Sequence, residues 1–145
     1  MNETDESHLR RAIALAQHAR DLGEQPFGSL LVAPDGAVLR EDRNTVLSDR
    51  DVTAHPELKL ARWAARELDA EAARGTTLYT SCQPCAMCSN VIARAGLGRV
   101  VFALSSEQLS ALKPAGAVAP DASEAIYDGP GLHDEARTPV AGYYG

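Results

Sequence analysis

The fold of this chain is decided by residues 53–88, which read TAHPELKLARWAARELDAEAARGTTLYTSCQPCAMC. The first part, residues 55–69, predicts a helix with a broad apolar side and a proline at the tolerated first-turn position. A strand, TTLYT (76–80), is predicted next, because β-branched and aromatic residues favour extended backbone. Another helix is predicted over 84–95, again opened by a proline. This helix–strand–helix order is typical of an α/β fold with helical crossovers.

The flanking sequence predicts the rest of a single α/β domain over residues 1–145. Apolar residues at helical spacing predict an amphipathic helix over 7–22. The run GSLLVA, a PDG turn and the run AVLRED predict a hairpin over 28–42. The remaining expected elements are a strand over 99–103, a helix over 106–112, loops over 44–53 and after Lys113, and either a strand or a helical turn over 123–128. We therefore expect an initial hairpin joined to parallel strands.

Composition limits the class of protein. A chain of 145 residues with 45% hydrophobic and 23% charged residues suits one ordinary globular domain. Its net charge of −6 gives the phosphate backbone of a nucleic acid no general attraction. No apolar run approaches the ~20 residues that cross a bilayer, and the first residues, MNETDESHLRR, lack the apolar part of a secretory signal. We therefore expect a cytoplasmic protein with neither a membrane nor a nucleic acid as partner.

The three cysteines are crowded at Cys82, Cys85 and Cys88, and an odd, crowded set makes a poor disulfide framework. In a reducing compartment such a cluster indicates metal binding or redox chemistry. A Cys-x-x-Cys at a helix start points both sulfurs into one space, and the positive helix end favours the thiolate form that binds metal. His55 lies at the other predicted helix start. One imidazole and two thiolates suit zinc and leave the fourth tetrahedral position open, as in a catalytic site.

Glu57 lies two residues past His55, at the same helix start. A carboxylate there could take a proton from water and later give it to a leaving amine without itself being a ligand. Each half of the pattern has another interpretation, because a lone Cys-x-x-Cys is more often a structural half-site or a redox pair. A lone His-x-Glu has almost no specificity. Both halves together, each at a predicted helix start and separated by a strand, favour a catalytic zinc site.

These residues resemble the cytidine and deoxycytidylate deaminase superfamily, on the branch with guanine, cytosine and tRNA adenosine deaminases. The resemblance runs from the first helix to about Phe102, through PFGSLLV (26–32), Asn44, TAHPEL (53–58) and YTSCQPCAMC (79–88). It implies a three-layer α/β/α sandwich with a central mixed five-stranded sheet. It also implies one Zn²⁺ ion, removal of an aromatic amine as ammonia by hydrolysis, and a homodimer or tetramer.

The resemblance also assigns roles to individual residues. The zinc ligands that it implies are His55, Cys85 and Cys88. It makes Glu57 the proton shuttle, Asn44 a hydrogen-bond partner of the base, and Phe27 an aromatic lining of the pocket.

This chain departs from the family pattern at two places. Pro56 stands where alanine is usual, and proline fits that position at a helix start. Gln83 and Ala86 replace Glu and Pro in the common Cys-Glu-Pro-Cys-Pro-Met-Cys run. These two residues flank the pocket, so they bear on the choice of substrate rather than on the chemistry.

The tail, residues 129–145, resembles the acidic, aromatic-ended tail of guanine-deaminase relatives. That resemblance implies a lid over the active site, either of the same subunit or of a neighbouring one. Glu135, and after it Asp134, are the carboxylates expected to hydrogen-bond the base. Tyr143 and Tyr144 are the expected lid aromatics.

Three functions remain open on the sequence. The first is hydrolytic deamination of a free nucleobase or analogue of the guanine, cytosine, isocytosine or aminotriazine type. The second is a tRNA-specific adenosine deaminase, which charge disfavours: after Phe102 only Lys113 and Arg137 stand against six acidic residues. The third, from another class, is a non-catalytic zinc or redox module, which would have no need of Glu57.

Overall fold

The sheet at the centre of the molecule has four strands in the order β2-β1-β3-β4. The computed structural model describes residues 1–115 and 123–145. The strands are β1 (Gly28–Val32), β2 (Val38–Arg43), β3 (Thr77–Cys82) and β4 (Arg99–Leu104). Strand β1 pairs antiparallel with both β2 and β3, and β3 pairs parallel with β4. The predicted hairpin and the mixed sheet are therefore confirmed.

The resemblance implied five strands, and this number needs correction, because the described residues form four. Beyond β4 the chain forms α6 (Ser106–Leu112) instead of turning back along the sheet. Residues 123–128, for which the sequence left a strand or a helical turn open, are exposed and irregular. They lack the alternation of a strand, and the Gly-Pro-Gly at 129–131 follows at once. The predicted loop after Lys113 falls partly on residues 116–122, which lie outside the described residues.

Helices cover both faces of the sheet and make the expected three layers. The main helices are α1 (Glu3–Asp21), α3 (Pro56–Glu67) and α5 (Ala86–Ala95). On one face α1 contributes Leu9 and Ala12 to a cluster that they form with Leu30, Val32, Tyr79 and Val101 of the sheet. On the other face α3 and α5 enclose a cluster formed by Leu31, Leu60, Ala61, Ala64, Leu78 and Ile92. Strand β1 contributes to both clusters, and all its residues are buried.

Shorter helices and shifted ends are the main local differences from the prediction. The helices not expected are α2 (Val46–Asp49), α4 (Ala70–Gly75) and α7 (His133–Arg137). Helix α1 begins earlier than predicted because Asn2 and Asp5 form a capping box that satisfies its first backbone N–H groups. Within the described part of the chain, no helix combines the length and apolar character that crossing a membrane requires.

An ion pair between the buried carboxylate of Asp5 and the exposed side chain of Arg99 fixes the start of α1 across the parallel strands. Arg99 at the beginning of β4 donates two hydrogen bonds to the Asp5 carboxylate, at 2.8 and 2.9 Å. Tyr79 on β3 donates a third at 2.7 Å. These hydrogen bonds, from Arg99 above all, hold the pKa of Asp5 well below its usual range. The helix that covers one face of the sheet is thereby tied to both parallel strands.

The first residue of β1 lies against α1 with no space for a side chain. A Cβ atom at Gly28 would stand 2.5 Å from the Cβ of Leu15 and 2.6 Å from the backbone of Ala12 and Ala16. Side chains on β1 alternate between the two faces, so this contact also fixes Ser29 on the opposite face.

We expect Gly28→Ala to lower the free energy of unfolding by about 1–3 kcal/mol, because the added methyl group must push α1 away from the sheet. Guanidinium unfolding of both proteins measures this difference. Gly131→Ala is the matched control, since a Cβ there meets nothing within 4 Å. Equal unfolding midpoints for wild type and Gly28→Ala would contradict the close packing of α1 on β1.

Candidate metal centre and pocket

Two helices begin at the residues predicted to bind metal. His55 is the N-cap of α3, with extended backbone (φ −75°, ψ 141°), and Pro56 follows in the first turn. Cys85 is the N-cap of α5, again with extended backbone (φ −68°, ψ 172°). Neither side chain caps its own helix, so both are free to point at a shared space. Cys88 lies one turn into α5 and is fully buried.

The three side chains converge on one point. The Nδ1 atom of His55 lies 3.7 Å from the sulfur of Cys85 and 3.4 Å from the sulfur of Cys88. All three ligand atoms lie within 4.8 Å of one another. A tetrahedral zinc ion with ordinary Zn–N and Zn–S bonds holds those atoms about 3.6 Å apart. The donor set and its spacing therefore fit zinc, with Nδ1 as the ligating nitrogen of the imidazole.

The electrostatics of the group favour a thiolate. Hydrogen bonds from the Cys88 thiol and from His55 lower the pKa of Cys85 to about 3. The same contact with Cys85 raises the pKa of His55, and it raises the pKa of Cys88 together with burial. A thiolate is the form of cysteine that binds metal, so the group is prepared to receive a cation.

Glu57 lies beside this group, in the first turn of α3, and is 7% exposed. Burial is the main cause that raises the pKa of Glu57 above its ordinary value. The hydroxyl of Ser29 lies 3.5 Å from Oε1 of Glu57 and 2.8 Å from the hydroxyl of Thr80. A raised pKa makes the carboxylate a stronger base, which suits the uptake of a proton from water.

The metal group opens into a pocket of about 940 Å³, which we call the site pocket. It brings together five of the predicted site residues: Phe27, Asn44, His55, Glu57 and Cys85. The other residues that line it are Arg20, Gln25, Pro26, Val46, Val52, Pro56, Cys82, Gln83, Leu104, Leu109, Leu112 and Lys113. Its walls thus come from the turn before β1, the segment after β2, the starts of α3 and α5, and α6.

Asn44 is buried in the wall of the site pocket and is 1% exposed. Its Oδ1 accepts a hydrogen bond from the backbone N–H of Val46 at 3.0 Å, and its amide nitrogen donates to Oε1 of Gln25 at 3.2 Å. Its backbone N–H donates to the carbonyl of Phe27 at 3.0 Å. The two residues predicted to contact a base are therefore joined to each other through the backbone.

Two charged residues that the sequence analysis missed hold this wall in place. Lys59 donates to Asp42, to the carbonyl of Arg43 and to the hydroxyl of Thr45, at 2.8–2.9 Å. Glu24 accepts from the backbone N–H groups at the start of α2, and hydrogen bonds from that segment lower the pKa of Glu24. A lysine in the first turn of a helix is unfavourable for the helix dipole, so its presence there was an available signal.

The tail residues predicted to touch substrate are not brought to the site pocket in this chain. Asp134 and Glu135 lie in the first turn of α7 and are exposed. Tyr143 and Tyr144 are 79% and 88% exposed and contact each other edge to face. None of the four lines the site pocket. Their role in substrate binding stays a prediction.

Comparisons with known proteins agree with this geometry. Residues 2–104 match the family model described as the cytidine and deoxycytidylate deaminase zinc-binding region. A probable cytosine deaminase of Schizosaccharomyces pombe is 36% identical, over 99% of this chain and 94% of that protein. The X-ray structure of guanine deaminase from Bacillus subtilis superposes with a TM-score of 0.76 at 30% identity, covering 99% of this chain and 94% of that one. A tRNA-specific adenosine deaminase of Haemophilus influenzae is 33% identical, over 77% of this chain and 64% of that protein.

We expect Cys88→Ser to lose bound zinc and, because the metal ties α3 to α5, to lower the melting temperature as well. Metal analysis of the purified protein should fall from about one zinc ion per chain to almost none. Cys82→Ser is the matched control, since Cys82 lines the site pocket but lies outside the group of three ligands. A Cys88→Ser protein with full zinc and full activity would show that the ligand assignment is wrong.

Proposed function

Because the chain belongs to the cytidine and deoxycytidylate deaminase family, we propose that it catalyses the zinc-dependent hydrolytic deamination of a free nucleobase or base analogue. The observation that carries this proposal is the buried carboxylate of Glu57 beside the group formed by His55, Cys85 and Cys88. A purely structural zinc site, or a redox pair, has no need of a carboxylate at an open coordination position. The non-catalytic alternative is therefore disfavoured.

The reaction consumes water and releases ammonia, and different residues of the chain bind the metal, transfer protons and place the base. His55, Cys85 and Cys88 would hold zinc, which as a Lewis acid makes water nucleophilic at neutral pH. Glu57 takes one proton from the water and gives it to the ring nitrogen of the base. It then takes the second proton from the hydroxyl on the attacked carbon and gives it to the amine, so that the C–N bond breaks, ammonia leaves and the carbon keeps a carbonyl oxygen. Phe27 and Asn44 lie in the same pocket and place the ring against the ligand group.

Charge and the extent of similarity favour a free base over tRNA. Relatives named as cytosine and guanine deaminases match this chain over 99% of its length, tail included. The relative named as a tRNA-specific adenosine deaminase matches 77% of it. The net charge of −6 and the acidic segment after Phe102 also oppose contact with a phosphate backbone. Deamination of adenosine in tRNA remains the second candidate function, since that relative is 33% identical.

The proposal also covers the role of the tail (129–145), the oligomeric state and the cellular compartment. The tail carries exposed apolar side chains, including Leu132 and Val140, and a small segment of this kind gains stability by packing on a surface. We assign it the role of lid, with Glu135 or Asp134 bonding the base and Tyr143 and Tyr144 closing the pocket of one subunit in a homodimer or tetramer. The three free cysteines favour a reducing compartment, the cytoplasm.

Ammonia release tests the proposal directly. The free bases to be tested are guanine, cytosine, isocytosine, aminotriazines and adenine. Cytidine, guanosine and a tRNA substrate are tested beside them as alternative substrates. Turnover of at least one free base, at a higher kcat/KM than any nucleoside or tRNA, is the expected result. Turnover of tRNA adenosine alone would establish the second candidate function instead.

We expect Glu57→Gln to keep zinc and the fold but to lower kcat by roughly 10²–10⁴-fold or more, because an amide cannot carry the proton. Zinc content and circular dichroism serve as controls on the same preparation. Substantial turnover by a zinc-loaded Glu57→Gln protein would rule out the assigned proton shuttle.

Removal of residues 140–145 should spare zinc binding and folding while lowering kcat/KM. The tyrosines would no longer exclude water from above the base, and a loss of positioning of about 1 Å can cost about 10²-fold in rate. Deletion of Gly145 alone is the control, because it removes no aromatic ring. An unchanged kcat/KM in the longer deletion would mean that Tyr143 and Tyr144 take no part in catalysis.

A further inference from the structure

Gln25 lies in the wall of the site pocket and is half-buried, immediately before the turn that carries Phe27. Among residues 1–115 and 123–145, its side chain has one hydrogen-bond partner: the amide nitrogen of Asn44 donates to Oε1 of Gln25 at 3.2 Å. Neither the metal group nor the proton shuttle uses this residue.

A backbone hydrogen bond decides which end of the Gln25 amide is available to a ligand. The N–H of Val46 is a donor, so the Asn44 atom that faces it at 3.0 Å must be the carbonyl oxygen, Oδ1. The other end of Asn44, its amide nitrogen, therefore faces Gln25 and must meet the oxygen of that side chain. The Gln25 amide nitrogen is left with its two N–H donors unused within the described residues.

The segment that carries Gln25 is held rigidly. The neighbouring Glu24 accepts hydrogen bonds from the backbone N–H groups of Leu47 and Ser48 at 3.2 and 3.1 Å. The carbonyl of Gln25 accepts from the N–H of Phe27 at 2.9 Å. These contacts support the backbone on both sides of Gln25, and the hydrogen bond from Asn44 holds the oxygen end of its side-chain amide before any ligand binds, which limits the entropy lost on binding.

We propose that Gln25 is a specificity-determining residue whose amide nitrogen donates a hydrogen bond to a carbonyl oxygen on the ring of the substrate. This inference rests on the proposed function, because it assumes that a nucleobase occupies the site pocket. It deepens that function by naming the substrate class: bases in which the carbon bearing the amine is joined through one ring nitrogen to a carbonyl carbon. Cytosine, isocytosine and guanine all have this arrangement, and adenine does not.

The physical reason for the preference is the cost of an unused donor. A base without the carbonyl would press the Gln25 N–H groups against a C–H edge and remove them from water without replacing the hydrogen bond. Such a mismatch costs roughly 5–150-fold in affinity. Asn44 cannot supply the missing partner by turning over, since its own orientation is fixed by the backbone of Val46.

Two pairs of bases isolate the carbonyl: cytosine with 4-aminopyrimidine, and guanine with 2-aminopurine. The second member of each pair keeps the amine and lacks the carbonyl. The measurement is kcat/KM for each base with wild type and with Gln25→Leu, which has nearly the same shape but no donor. Comparing ratios between the two proteins cancels the difference in intrinsic reactivity within a pair.

Gln25→Leu should lower the ratio of oxo to deoxo base by about 10-fold or more, mainly through KM for the oxo base, with zinc content unchanged. Gln25→Glu should be at least as impaired on the oxo base, because it keeps an acceptor for Asn44 but presents an oxygen instead of N–H groups. Gln17→Leu, on the exposed face of α1, controls for the change from amide to aliphatic side chain.

Binding to zinc-loaded Glu57→Gln protein, with and without Gln25→Leu, separates this inference from the proposed function. The fluorescence of 2-aminopurine reports its own binding, and competition reports that of guanine and cytosine. Binding that favours the oxo base only when Gln25 is present, without turnover by wild type, would support the inference and refute the proposed function. If Gln25→Leu changed the affinity for both members of a pair equally, the inference alone would be overturned. The same would follow if Gln83→Leu, and not Gln25→Leu, removed the preference for the oxo base. Failure of every base to bind would overturn both.

Discussion

The Nδ1 atom of His55 lies 3.7 Å from the sulfur of Cys85 and 3.4 Å from the sulfur of Cys88, because α3 and α5 both begin at a ligand. Each N-cap has extended backbone, so its side chain leaves the helix axis and turns to the space between the two helices. The rest of the domain holds α3 and α5 in the positions that bring these ligand atoms together. The parallel pair β3 and β4 sets the direction of α5, and the buried β1 provides the surface on which α1 and α3 both pack.

The pocket next to the ligands has walls made largely of irregular backbone, and charged side chains give that backbone its rigidity. Lys59 holds the end of β2 against α3, and Glu24 holds the start of α2 against the turn before β1. Both form charge-assisted hydrogen bonds with neutral backbone or hydroxyl groups, and Lys59 also pairs with the Asp42 carboxylate; such hydrogen bonds are stronger than neutral ones. Catalytic side chains placed on such a supported wall keep their geometry without a bound ligand.

The sequence predicted the main helices, the hairpin, the metal group and the pocket positions of Phe27 and Asn44, because each rests on local periodicity or on a motif. It missed α2, whose four residues carry no periodic pattern. It also missed Glu24, Gln25 and Lys59, since their roles depend on partners at a distance along the chain that spacing does not reveal. The fifth strand was expected by analogy with the family, and residues 1–115 and 123–145 do not form it.

The hydroxyl pair behind Glu57 has a consequence for the timing of proton transfer. Ser29 and Thr80 are directly opposed on neighbouring antiparallel strands, and Ser29 lies between Thr80 and the carboxylate. A hydroxyl both donates and accepts, and its hydrogen turns by rotation about one bond. When the carboxylate is charged, both hydroxyls can donate towards it; when it carries a proton, both can turn the other way and accept. The dipoles under the carboxylate can therefore reverse within one catalytic cycle while every heavy atom stays where it is, so the protein has no slow rearrangement to wait for between the first proton transfer and the last.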